Sequence, residues 1–223
     1  MNPSTKILLA KLTKEPFVES FLDGNLFLNC ATYFKELENT DEVRADCDEG
    51  IDWAVQAKEV SIQGPDGEWI PIGGLIGPLM HYTEESAKFH MFCMYMFTDD
   101  EAEVFDSRNL QFGERFMFIF NPAEFFRRVQ EAVDKLGYTC KFGPVKYVDR
   151  SSYHGPMGPL AKFSEYAYQK EFRLVVRSEK DHVNKPLVLQ LGSLRDICWA
   201  GQTSEIAQIA ADLRLKDRKN ELG

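Results

Sequence analysis

The chain of 223 residues lacks most of the short signatures that announce a chemistry. It has no GxxxxGK(S/T) phosphate loop, no GxGxxG, no HExxH and no GxSxG, so nothing local supports a P-loop, dinucleotide-fold, zincin or α/β-hydrolase reading. Cysteine is sparse: Cys30, Cys47, Cys93, Cys140 and Cys198 are odd in number, far apart and without a CxxC pair. They read as reduced thiols and argue against a disulfide frame or a zinc site. Long hydrophobic runs are missing too. The longest, Met91 to Phe97, falls far short of the ~20 residues a membrane helix needs, and Ile7 to Ala10 is too short for a signal-peptide core. The expectation is a cytosolic protein with no membrane partner. The four histidines are scattered, and Asp46-Cys47-Asp48-Glu49-Gly50 lacks the EF-hand spacing, so no metal is expected.

What is present is an ordinary globular composition, 44% hydrophobic and 27% charged, enough for one core in a single domain over 1–223. The net charge of −9 disfavours a protein coated in nucleic acid. It is unevenly spread. Residues 1–111 hold 8 Lys and Arg against 21 Asp and Glu, whereas 112–223 hold 18 against 14. The C-terminal half could therefore offer a locally positive surface to a phosphate-bearing ligand.

Periodicity predicts a strand over Lys6 to Leu12, then a short helix from Pro16 with Phe17, Phe21 and Leu22 on one face, ended by Asp23-Gly24. A second strand is expected over Asn25 to Phe34. Glu36 to Asp52, with eight acidic residues and one arginine, reads as an exposed loop. Ala54 to Gln63 alternates and turns at Gly64-Pro65-Asp66-Gly67 into Glu68 to Ile72. An edge strand or bent connection follows at Leu75 to Tyr82. Phe89 to Thr98 is apolar on both faces and reads as a central strand, and Phe112 to Phe120 resembles it. Asn121-Pro122 starts a helix whose stripe is Phe125, Val129, Val133 and Leu136, ended by Gly137. Strands are expected near 138–148, 165–177, 186–192 and 195–200, and Thr203-Ser204 caps a last helix over Ile206 to Leu215. The pattern is α+β with a mostly antiparallel β-sheet and a few flanking helices.

The segment most charged with chemistry is Gln169-Lys170-Glu171-Phe172-Arg173. On a strand, Gln169, Glu171 and Arg173 project to one face. A buried carboxylate costs several kcal/mol unless it is paired or binds ligand hydroxyls. Glu171 therefore either pairs with Arg173 or a neighbouring lysine, or serves a ligand. Val145 to Phe163 is a second region of interest, where Lys146, Tyr147, Arg150 and Tyr153 flank a Gly/Pro-rich loop that is either a plain turn-rich connection or a site for a nucleotide or a protein acceptor.

The order of elements resembles a group of uncharacterised bacterial and phage proteins found among abortive-infection and other phage-defence genes. The resemblance is carried by Asp23-Gly24-Asn25-Leu26-Phe27-Leu28-Asn29, Arg44-x-Asp46-x-x-Glu49-Gly50, Val145-x-Tyr147 and Gln169-x-Glu171-Phe172-Arg173. It is also similar to the ADP-ribosyltransferase superfamily, whose split antiparallel sheet surrounds an NAD cleft. That likeness implies NAD as substrate, with Glu171 and Gln169 as catalytic residues. The carboxylate of Glu171 would accept a bond from the ribose 2′-hydroxyl, and Gln169 would orient the acceptor. Thr32 and Tyr33 fall at the second-strand position, Tyr33 or Phe34 would stack on nicotinamide, and Arg44 would reach the pyrophosphate. The first-strand position, where those enzymes carry Arg or His, falls on Lys6, Lys11 or Thr13. The expected activity is transfer to a protein or nucleic-acid acceptor in phage–host conflict, as a toxin, an antitoxin or a counter-defence factor. The alternative is a non-catalytic binding protein on the same scaffold.

Overall fold

The structure is a computed structural model and describes residues 7–31, 33, 48–74, 76–83, 88–98, 105–177, 185–206, 208 and 209. Fifteen strands are found among them. The first seven are β1 (Ile7–Thr13), β2 (Asn25–Cys30), β3 (Trp53–Val55), β4 (Val60–Gln63), β5 (Trp69–Ile72), β6 (Leu79–His81) and β7 (His90–Thr98). The second half adds β8 (Arg115–Ile119), β9 (Thr139–Pro144), β10 (Lys146–Val148), β11 (Gly155–Pro156), β12 (Ala161–Phe163), β13 (Glu171–Arg177), β14 (Leu187–Gln190) and β15 (Cys198–Gln202). The α-helices α1 (Val18–Leu22) and α2 (Pro122–Leu136) accompany them.

Eight strands form one antiparallel sheet. Its main path runs β14-β2-β7-β1-β8-β15, and β13 lies against β7 with β9 beyond it. The α+β class with mostly antiparallel pairing is therefore observed; β10 and β12 form a parallel pair.

Alternation along the two central strands decides what lies on each face. Phe92 and Met94 of β7, with Phe172, Leu174 and Val176 of β13, enter the main core against Phe21, Phe125, Val129 and Val133. Each such side chain contributes roughly 1.5–3 kcal/mol on full burial. Phe21 and Phe92 stack with ring centroids 5.9 Å apart. Cys93 and Tyr95 lie on the other face, opposite Arg173 and Glu171.

Helix α2 forms as its signals predict. The Asn121 side chain accepts from the Glu124 amide, Pro122 opens the first turn and Gly137 closes it in the left-handed region. Its stripe is shorter than expected, because Leu136 at the last turn is exposed. Phe17 likewise leaves its expected face and is 60% exposed, since a 3-10 turn over Glu15–Phe17 precedes α1 and shifts it out of helical phase.

Other boundaries move for local reasons. The second strand stops at Cys30, and Ala31 and Tyr33 are helical. The predicted strand 54–63 is two strands in different sheets, β3 and β4. The β4–β5 hairpin forms at the predicted turn, with the Gly64 amide donating to the Glu68 carbonyl at 2.8 Å. The predicted strand 165–177 begins only at Glu171. Ser164–Gln169 is a 3-10 turn, and Lys170 sits in the left-handed region at φ 42° and ψ 49°. Thr203 caps nothing with its hydroxyl, which is buried without a hydrogen-bond partner among the described residues. The expected helix beyond residue 209 lies outside them.

Glycine is sterically required at Gly24 and at Gly113, where a Cβ would stand 2.0 Å from the Thr13 carbonyl oxygen. Gly24 follows α1 at φ +95°, and a Cβ there would stand 1.9 Å from the Gly192 carbonyl oxygen. The Leu191 amide donates to its carbonyl at 2.9 Å, so the two loops cannot separate cheaply. Gly24→Ala is expected to lose at least about 3 kcal/mol through strain and clash. Urea unfolding would show this as a lower midpoint at unchanged slope; a loss under about 1 kcal/mol contradicts this packing.

Candidate functional site

The sheet opens at β7. One edge of that strand is covered by β13, from Tyr95↔Glu171 to His90↔Val176. The other edge is shared: β1 pairs over Tyr95 to Thr98, and β2 pairs only at His90 and Met91. Beyond Ala10, β1 continues with β8 alone, and Leu26 to Leu28 of β2 continue with β14. Phe92, Cys93 and Met94 therefore have no strand partner on that edge among the described residues. Lys11 fills part of the gap. Its Nζ donates to the Cys93 carbonyl at 2.9 Å and stands 4.6 Å from the Phe92 ring centroid.

A cavity of about 730 Å³ opens at this parting, within the usual size of small-molecule sites. Its lining includes Lys11, Thr13, Phe27, Asn29 and Tyr33 on or next to β1 and β2, and Lys162, Gln169, Glu171, Arg173 and Glu49.

The charged part of this lining is a buried ion network. Lys162, on β12, donates from Nζ to Gln169 Oε1 and to Glu171 Oε1, both at 2.7 Å. Arg173 Nε donates to Glu171 Oε2 at 2.7 Å. The two terminal nitrogens of Arg173 reach Glu49 Oε1 at 3.0 Å and Oε2 at 2.8 Å, and Nη1 also donates to the Pro159 carbonyl at 2.7 Å. The Glu171 amide donates to the Tyr147 hydroxyl at 2.9 Å. All five charged or amide side chains are buried, with Arg173 1% exposed. Two cations face two carboxylates, so the group can stay ionised without water.

Electrostatics follow from this arrangement. Burial alone would raise the Glu171 carboxyl, but the charges and hydrogen bonds of Arg173 and Lys162 outweigh it and hold the group well below the usual glutamate range. Arg173 is held ionised: burial disfavours its charge, and Glu171 and Glu49 more than restore it. The Cys93 thiol is pushed up to about 12, first by burial and then by the Glu171 charge. The thiol is thus held protonated at neutral pH, which argues against a nucleophilic role. Tyr147 is raised for the same two reasons and remains a neutral phenol.

Of the residues expected to form the site, Gln169 and Glu171 do come together, by a different route. They do not share a strand; Gln169 ends the 3-10 turn, and Lys162 gathers the two side chains. The pairing of Glu171 with Arg173 also forms. Tyr33 is half-buried and also lines the cavity. Of the three first-strand candidates, Lys11 and Thr13 line the cavity, while Lys6, like Thr32, Phe34 and Arg44, lies outside the described residues.

One expectation needs correction. Glu49, read as part of an exposed acidic loop, is 4% exposed because Arg173 draws it inward. Arg150, in the region of the Gly/Pro-rich loop, pairs with Asp48 and Glu165 and stands 4.0 Å from the Phe163 ring. Sequence reasoning missed Lys162 altogether, and no local signal pointed to it. No group of three or more metal-ligating side chains converges among the described residues. Comparison of the chain with protein-family models, with curated proteins and with solved structures finds no match.

Proposed function

We propose that the chain is an NAD-consuming transferase of the ADP-ribosyl type that modifies a protein or nucleic-acid acceptor. The observation that carries this reading is the shared cavity: Gln169, Glu171, Lys11 and Tyr33 all line it where the sheet parts. In the reaction the nicotinamide–ribose C–N bond breaks and nicotinamide leaves. Positive charge develops on the ribose, the acceptor's nucleophile bonds to its anomeric carbon, and the acceptor's proton passes to solvent. An ionised Glu171 opposes that charge and accepts from the 2′-hydroxyl, an electrostatic role that a preorganised buried group performs best. Each carboxylate oxygen has two acceptor sites, so one bond to Lys162 and one to Arg173 leave capacity for a hydroxyl. Tyr33 supplies an aromatic surface for nicotinamide, and the Lys11 ammonium a cation for a phosphate.

The second reading is binding without turnover, and one observation favours it. Both Glu171 oxygens already accept charged hydrogen bonds, which lowers the demand for a ligand hydroxyl. The two readings part in a melting experiment with and without NAD. At about 100 times its dissociation constant, NAD should add about 2.7 kcal/mol, a Tm rise of about 5–10 °C for a chain of this size. Nicotinamide should appear when protein or nucleic-acid acceptors are supplied. No shift at millimolar NAD and no nicotinamide would leave the non-catalytic reading standing.

A further inference from the structure

We propose that Lys162 is the positioning residue of the cavity wall, locking Gln169 and Glu171 into one recognition pair of fixed hydrogen-bond polarity. The inference rests on the reading of the cavity as the NAD site. An ammonium has three donors and no acceptor, so whichever amide atom meets it must be the oxygen. With Gln169 Oε1 held at 2.7 Å by Lys162, the amide nitrogen is left as the donating end, and it lies 3.4 Å from the Tyr168 hydroxyl. The same ammonium fixes Glu171 Oε1 at 2.7 Å, and Arg173, braced by Glu49, fixes Oε2. The wall thus offers a donor beside an acceptor, and a bound molecule must present the complementary pair, an acceptor next to a hydroxyl or amine.

The geometry also explains how a 3-10 turn delivers this pair. Lys170 sits in the left-handed region, a strained conformation for a residue with a side chain. That turn ends Ser164–Gln169 and starts β13 one residue later, so Gln169 and Glu171 reach one amine from two different elements. The Lys162 ammonium is held on a third side by the Tyr166 ring, 4.8 Å away.

The test compares Lys162→Arg and Lys162→Met with the wild type. Lys162→Arg should keep the NAD-induced melting shift and nicotinamide release within about threefold. Lys162→Met should lower release at least tenfold, and the acid limb of its pH profile should move up, because Glu171 then loses one of the two cations that keep it ionised. An unmoved acid limb, or release within threefold in Lys162→Met, overturns the proposal. Should Lys162→Met not fold, the wild type still decides through NMR of the Gln169 side-chain amide. Two sharp, slowly exchanging protons are expected, and fast exchange overturns the lock. A wild type that neither shifts with NAD nor releases nicotinamide sinks the reading of the cavity, whereas the amide protons report on Lys162 regardless.

Discussion

Arg173→Met is expected to cost about 3–5 kcal/mol, the usual result of breaking a buried ion pair from one side. Stabilities of single domains run to about 5–15 kcal/mol, so this one change would remove a large share of the total. Arg173 is 1% exposed and holds four acceptors: one oxygen of Glu171, both oxygens of Glu49 and the Pro159 carbonyl. Methionine fills much of the volume and satisfies none of them. Glu171 would retain Lys162, but Glu49 would be left as a carboxylate deep in the protein without its guanidinium. The contact with Pro159 also ties the 158–160 turn to the sheet, so its loss should loosen the stretch leading into β12. Urea unfolding at neutral pH measures the total. The double variant with Glu49→Met isolates the pair: it should be more stable than Arg173→Met alone, since the second change removes the stranded charge. A single-variant loss below about 1 kcal/mol would mean that the network is solvated rather than buried.

This network shows what a linear sequence can and cannot disclose. Elements whose causes are local were legible. Helix α2 carries its cap, its first-turn proline, its apolar stripe and its terminal glycine within 17 residues, and β7 announces its central place by being apolar on both faces. The hairpin at Gly64–Gly67 is equally local. Glu49 was not legible, because an acid among acids looks solvated until Arg173, 124 residues away, is brought to it. Lys162 gave no signal for the same reason. The segment 164–169 misled in another way. Its tyrosines favour a strand in isolation, and the contacts that Lys162 and Met96 make with this turn, the Met96 amide donating to the Lys170 carbonyl at 2.9 Å, override that preference. The parting of the sheet could not be read from propensity at all. β1 and β2 each look like complete strands, and only the register shows that they divide one edge of β7 between them.

The variant Glu171→Gln ought to separate the carboxylate's two roles, since they respond differently to acid. For stability, the folded Glu171 carboxyl lies well below its ordinary value. Its contribution is therefore fully present above the unfolded value of about 4.3 and is lost as pH falls from there toward the folded one. At neutral pH Glu171→Gln should be less stable than the wild type by about 3–5 kcal/mol, because Lys162 and Arg173 lose the charge between them. Below about pH 4 the gap should narrow as the wild type takes up the proton that the variant never needed. For turnover, the ionised group must face the developing ribose charge, and removing such an electrostatic partner costs on the order of 10²–10³ in rate. Nicotinamide release by Glu171→Gln should fall by that order when assayed well below its own Tm, where the variant is folded. The wild type should keep its rate down through pH 5, since the carboxylate remains charged there. A folded Glu171→Gln that releases nicotinamide within threefold of the wild type would make the residue purely structural. The cavity would then be a binding site whose chemistry, if any, lies with other groups. A stability gap that widens in acid would instead mean that Lys162 and Arg173 do not hold the carboxyl below its ordinary value, and the electrostatic argument for the site would fail with it.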